Sequence, residues 1–183
     1  MANATTTLLP TGTWIVDRTH SKVGFAVKHV GIATVRGEFT EFAGSMEVGE
    51  DVSTIRVHGT VGVASVDTSQ ADRDAHLRSA DFFDAERYPE MTFESSTVEP
   101  LDAEAFRIKG ELTMHGVTRE VVLRAEVLGT ATDPWNKERA ALEVTGELSR
   151  GEFDMKFNQA LSGGNLLVGD KIKITLDISA VRE

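Results

Sequence analysis

Five histidines, His20, His29, His58, His76 and His115, are the side chains in this sequence best suited to proton transfer or metal ligation near neutral pH. They stand 9, 29, 18 and 39 positions apart. Two ligands on one strand face sit two apart, and two on one helix face sit four apart. No pair has either spacing, and no His-Glu-x-x-His is present. Nucleophiles fare no better. Ser21 follows His20 directly, but neighbours in an extended strand point to opposite faces, and no Gly-x-Ser-x-Gly elbow occurs. Asp81 and Asp84 are paired carboxylates, yet nothing makes them face one cleft at the separation a glycosidase needs. Neither Gly-x-Gly-x-x-Gly nor a Walker motif is found, and Ser162-Gly-Gly-Asn165 reads as a turn. There is no cysteine, which excludes disulfides, thiol catalysis and thiolate metal sites. The histidines are therefore expected to be structural or surface imidazoles. The expectation is a protein that is not an enzyme, with no catalytic residue, no metal and no cofactor.

The densest polar constellation is Arg73-Asp-Ala-His-Leu-Arg-Ser-Ala-Asp-Phe-Phe-Asp84. Asp67, Thr68 and Ser69 can cap a helix by accepting hydrogen bonds from its free N–H groups. Residues Gln70 to Ala80 carry no β-branched side chain. Asp72 and Asp74 lie early and Arg78 late, as the helix dipole prefers. One short helix is expected within residues 67–90, with a second helical turn near Asp81–Glu86 and an end at Pro89.

The elements around this insertion have period two. Val23, Phe25 and Val27 alternate with Lys22, Gly24, Ala26 and Lys28. The same alternation recurs at Ile55–Val57, Met91–Phe93, Ile108–Met114, Val121–Val127, Leu142–Leu148 and Ile172–Ile178, and more weakly around Phe39 and at Met46–Val48. Each stretch has one apolar and one polar face, the signature of antiparallel strands with core on one side and water on the other. Turn signals separate them at Gly49-Glu-Asp, Glu99-Pro-Leu-Asp and Thr132-Asp-Pro-Trp135. About eight short strands at this spacing predict an all-β sandwich or up-and-down barrel.

At 183 residues the chain suits one domain with a sizeable core. Net charge is −10, from 19 basic and 29 acidic residues. That balance argues against nucleic acid as a partner and against peripheral binding to anionic lipid. Nowhere do 18 apolar residues run together, so no transmembrane segment is expected. Residues 1–11 read as a loose polar start without a secretory signal, which makes a cytoplasmic location the default.

The sequence resembles the YceI-like family of polyisoprenoid-binding proteins, from about Gly12 to Ala180. The resemblance rests on Trp14-Ile-Val-Asp17, His20-Ser-Lys-Val-Gly-Phe-Ala-Val-Lys-His29, Gly37-Glu-Phe39 with Gly44, the Arg73–Asp84 segment, Tyr88-Pro-Glu-Met-Thr-Phe-Glu-Ser95, Gly110-Glu-Leu-Thr-Met-His-Gly-Val-Thr118 and Val168-Gly-Asp170, in that order. It implies an extended lipocalin-like, eight-stranded antiparallel β-barrel over residues 12–183 with a helical insertion. It also implies an apolar pore for a long isoprenoid chain, storage or transport of that lipid, no metal, and pairing as a homodimer. Two departures stand out. Many relatives carry an export signal, and many show an Arg-x-Asp-Phe-Gly type run where this chain has Arg150-Gly-Glu-Phe-Asp154.

Strand parity then names the expected pore lining: Val23, Phe25, Val27, Phe39, Met46, Ile55, Val57, Met91, Phe93, Leu112, Met114, Leu142, Val144, Ile172, Ile174 and Leu176. Ordinary core packing is the competing role for each. At the pore mouth, Phe82 and Phe83 are expected to enter the opening while Arg73, His76 and Arg78 meet a polar headgroup. The same segment also reads as a plug fixed by Arg–Asp pairs; that structural role is favoured, and a plug can do both. The alternative ligands are a fatty acid or fatty amide. The alternative activity is a lipid-acting enzyme using His20, His76 or His115.

Overall fold

The computed structural model of the protein describes residues 9–183. The alternating stretches form strands β1 (Gly12–Val16), β2 (Lys22–His29), β3 (Ala33–Phe39), β4 (Phe42–Val48), β5 (Arg56–Gly62), β6 (Val66–Asp67), β7 (Glu90–Pro100), β8 (Ala105–Met114), β9 (Val117–Thr132), β10 (Glu138–Ser149) and β11 (Val168–Arg182). One helix, α1 (Ala71–Arg78), separates β6 from β7. The strands pair in the order β1-β4-β5-β7-β8-β9-β10-β11-β2-β3-β6, all antiparallel, and β1 also pairs with β11.

These strands make eight staves. β1 and β2 are one stave interrupted by the turn at Arg18–His20, and β11 pairs with both halves. β3 and β4 form a second, bent at Thr40–Glu41; β5 and β6 form a third, bent at Val63–Ser65. The other five run unbroken. Side chains replace the ladder where it is interrupted. Ser21 Oγ donates to the Ser179 carbonyl and accepts from its N–H at 2.9 Å. The Glu41 N–H donates to Ser65 Oγ at 3.0 Å. The result is a closed eight-stranded antiparallel barrel with one short helix.

Inward rows follow from register. Phe42, Gly44 and Met46 lie opposite Val61, Gly59 and Val57, and Val61 and Gly59 in turn lie opposite Met91 and Phe93 on β7. Two apolar clusters fill the ends. At the closed end Leu9, Trp14, Val48, Val52, Ile55, Val98, Phe106, Val127, Ala140 and Ala180 pack together. At the lid end Phe39, Val63, Val66, Ala85, Met114, Phe153 and Met155 do so.

Some details depart from the sequence expectations. Leu9, inside the segment expected to be loose, is buried in the closed end, and Trp14 Nε1 donates to the Pro10 carbonyl at 3.0 Å. Residues 1–8 lie outside the described residues. Ile55, expected in the pore, is buried beneath it. β5 begins only at Arg56, so Ile55 belongs to the preceding turn and packs with Val52. The cap of α1 is Gln70, whose side chain accepts from the Arg73 N–H, because Ser69 adopts φ +61 and turns the chain one residue later than expected. Asp74 reaches back to accept from the Thr68 N–H and hydroxyl at 2.8 and 2.6 Å. Residues 81–86 form hydrogen-bonded turns rather than a second helical turn, with Asp84 at φ +49.

Candidate functional site

Between the two clusters lies a cavity of about 310 Å³. That is at the lower end of the roughly 300–1,000 Å³ of small-molecule pockets. Its wall is almost wholly apolar. Of the sixteen side chains expected to line a pore, Val23, Phe25, Val27, Phe39, Met46, Val57, Met91, Phe93, Leu112, Met114, Leu142, Val144, Ile172, Ile174 and Leu176 line this cavity, and Ile55 does not. Parity finds them because each stave's core-facing row is also its cavity-facing row.

Several inward positions carry no side chain at all. Gly44 on β4 and Gly59 on β5 lie directly opposite each other. A Cβ at Gly59 would meet nothing closer than the Ala43 carbonyl oxygen, 3.9 Å away. At Gly37 and Gly110, by contrast, a Cβ would lie 2.5 Å from the rings of Phe25 and Phe93. Those two glycines make room for aromatic neighbours, whereas Gly59 leaves room that nothing fills. Sequence reasoning missed it because a glycine breaks the apolar alternation it belongs to; its register opposite Gly44 is the signal, and that requires knowing the pairing.

The lid closes the other end with Leu77, Phe82, Phe83 and Met155 on the cavity side. Phe83 packs edge-on against Phe39 with ring centres 5.6 Å apart, and Phe82 sits 5.2 Å from Phe157. His76 contacts both Phe82 and Phe157 at 5.0 Å, while its Nε2 pairs with Asp81 at 2.8 Å. Arg73 and Arg78 do not face the cavity. Arg73 bonds the Thr68 hydroxyl and carbonyl, and Arg78 bonds the carbonyls of Ala64 and Val66. Both fasten the helix to the bend before it. The expected Arg–Asp pairs are thus replaced by arginine–carbonyl bonds, since the short run between β5 and the helix offers the carbonyls of Ala64, Val66 and Thr68 as acceptors.

The charged group buried in the cavity wall is one the sequence reading left out. Arg150, 5% exposed, donates to the carbonyls of Gly169, Met155, Phe157 and Val168 at 2.9, 2.8, 2.9 and 3.3 Å. Among the described residues it is the sole buried cation. Burial pushes its pKa down, and Asp170, held by Ser149 Oγ and the Gly151 N–H, partly opposes that shift. Asp154, in the place where the resembling motif has glycine, adopts φ +60, the conformation that glycine takes most easily.

The three histidines considered for acid–base work stand apart, each with its own partner. His20 pairs with Asp17 on the surface, His76 with Asp81, and His115 Nδ1 lies 2.9 Å from the Phe153 carbonyl. None lines the cavity. Among the described residues no three His, Asp or Glu side chains gather as a cation site, and no helix is long and apolar enough to cross a membrane.

Similar proteins share this architecture. The YceI-like domain family matches residues 14–180. Protein YceI of Escherichia coli O157:H7 is 38% identical over 138 residues, 75% of this chain and 72% of its own. A UPF0312 protein of Photorhabdus laumondii is 39% identical over the same length, 75% of this chain and 71% of its own. The crystal structure of the Campylobacter jejuni YCEI protein superposes with a TM-score of 0.73 at 31% identity, covering 91% of this chain and 96% of that one. A polyisoprenoid binding domain from Saccharophagus degradans superposes at 0.71 over 93% of this chain and 98% of its own, with 12% identity, a likeness of fold.

Proposed function

Because the chain belongs to the YceI-like family, we propose that it holds one long-chain isoprenoid lipid, of polyprenyl or quinone type, in the barrel cavity and stores or carries it. The observation behind this reading is the apolar cavity inside the barrel, with Gly59 facing open space where a core would have placed a side chain. Each methylene taken from water into such a wall contributes about 0.8 kcal/mol. A tail of several isoprene units outweighs the several kcal/mol that association and ordering cost. Burial of this kind is not directional, so the wall selects for apolarity and width, and headgroup choice falls to the polar groups at its edge. The Saccharophagus domain's stated binding of polyisoprenoid supports the same ligand class.

Arg150 favours a second reading, a fatty acid whose carboxylate approaches the buried guanidinium. The two readings are separated by mass spectrometry of an organic extract from the protein purified from its natural host, beside Gly59→Leu. A prenyl lipid near one per chain in the parent and absent from the folded variant supports the isoprenoid reading. A fatty acid with the same dependence supports the second. Equal lipid content in parent and folded variant refutes the cavity as the binding place.

A further inference from the structure

The chain carries net charge −10, yet residues 18–37 and 155–169 contain no Asp or Glu. The fold brings the ends of these two stretches together. His29 on β2 pairs with Val168, the Val30 N–H donates to the Leu167 carbonyl at 3.0 Å, and Gly31 lies against Asn165. The shared tip displays large apolar side chains to water: Ile32 is 82% exposed and Leu166 54%. Such turns ordinarily carry polar residues. Both residues inside the His29–Ile32 turn have positive φ, Val30 at +53 and Gly31 at +75. Asparagine or aspartate is the usual companion of glycine there, and a β-branched residue is strained. The tip therefore keeps an apolar side chain against a backbone preference.

Its flanks are basic. Lys28 and Arg36 stand on β2 and β3 without a carboxylate partner among the described residues; Lys28 donates to Thr34 Oγ1. The carboxylates closest in sequence are engaged: Glu38 with Lys22, Asp154 with Lys156, and Asp170 with Ser149 and Gly151. The whole-chain charge argued against anionic lipid. Screening over about 8 Å at physiological salt means that a docking face responds to its own charges instead.

The tip is continuous with the cavity. Val27 and Val168, at its base, line the cavity wall. β3 meets β6 only at Glu38 and Phe39, so from Ala33 to Gly37 it has β2 on one side alone among the described residues. Between that free edge and the lid, the wall is closed by the rings of Phe25, Phe39 and Phe83, with Phe39 5.6 Å from each of the other two. Opening this seam needs side chains to turn and breaks no ladder.

We propose that the tip formed by Val30–Ile32 and Leu166 is a membrane-docking face, inserting its apolar side chains into an anionic lipid surface while Lys28 and Arg36 meet the headgroups, and that lipid enters along the adjoining seam. Apolar insertion and cationic flanks add in interfacial binding. The loading step rests on the isoprenoid reading; the docking step does not.

The test is flotation of the full chain with phosphatidylcholine vesicles, with and without phosphatidylglycerol, beside the double variant Ile32→Asp, Leu166→Asp, its fold checked by circular dichroism. The parent is expected to float with the anionic vesicles, and the variant to lose about tenfold or more in partitioning. Uptake of a polyprenol from the same vesicles is followed in parallel. Docking without uptake leaves the face standing and defeats the carrier reading. Uptake unchanged in the variant, or no flotation of the parent on either vesicle, overturns the docking face. A dimer in sedimentation that the variant abolishes, without flotation, assigns the face to a second copy and overturns it as well.

Discussion

At the closed end of the barrel, Trp14, Val52 and Ile55 are buried under strands that pair on both sides, and apolar contact fills the space, with the Trp14 indole N–H bonded to the Pro10 carbonyl. At the lid end, the closure is made by turns and one helix of eight residues. Arg73, Arg78 and Arg150 hold it by donating to backbone carbonyls, and the rings of Phe82, Phe83 and Phe157 close it over the cavity. The first end is fixed by registers of whole strands. The second is fixed by a few side chains on irregular backbone, which is the arrangement that opens at low cost. A barrel that exchanges an enclosed ligand needs this inequality, because equal ends would either leak or trap.

The largest expected effect tests the closed end. Trp14→Ala should lower unfolding free energy by about 3–5 kcal/mol, as large-to-small changes at buried aromatic positions do. Phe82→Ala should cost less, because the lid turns can settle into the space, and should appear instead as faster loss of bound lipid. Urea unfolding and lipid off-rates measured on both variants read this comparison. Equal stability losses with unchanged off-rates would dissolve the distinction between the ends.

A middle-sized effect concerns charge at the closed end. Asp17 accepts from Arg139 at 2.7 Å, and Arg139 also pairs with Asp133 at 2.8 Å. The Arg139 guanidinium, then His20, hold the Asp17 carboxyl well below the usual carboxylate range. A group whose folded pKa is depressed contributes stability above its unfolded pKa, near 3.9, and loses it as pH falls through the folded value. Asp17→Asn should thus be destabilised by about 1 kcal/mol at pH 7. The gap from the parent should shrink steadily below about pH 4. Urea midpoints of both proteins at pH 7 and pH 3 check the sign; a gap that widens on acidification would be inconsistent with it.

The smallest effect lies on the lid side. Asp154→Gly relieves a left-handed residue at the end of the turn carrying Arg150 and gives up only the exposed pair with Lys156. A gain of about 0.5 kcal/mol is expected, seen as a small rise in melting temperature.

The staves were legible in the sequence because alternation writes burial directly into residue order, and fifteen of sixteen parity choices fall on the cavity wall. What alternation does not carry was lost. Ile55 keeps the parity of β5 but sits on a turn before it. Gly59 has no side chain to alternate. Arg150 points inward from irregular backbone, where no period exists. Arg73 and Arg78 have the composition of a headgroup site, but they are captured by Thr68 and by the carbonyls of Ala64 and Val66, on the irregular run before the helix, which is silent in composition.

The three interrupted staves are consecutive, and their breaks at 17–21, 40–41 and 63–65 sit side by side across the barrel. Above that line the wall depends on β2, β3 and the two-residue β6; the remaining five staves cross it without interruption. Cooperativity should divide along the same line. Amide protons of residues 22–39 and 66–67 would exchange through openings that leave β7 to β11 protected, so the barrel would breathe as a panel on a frame rather than as one shell.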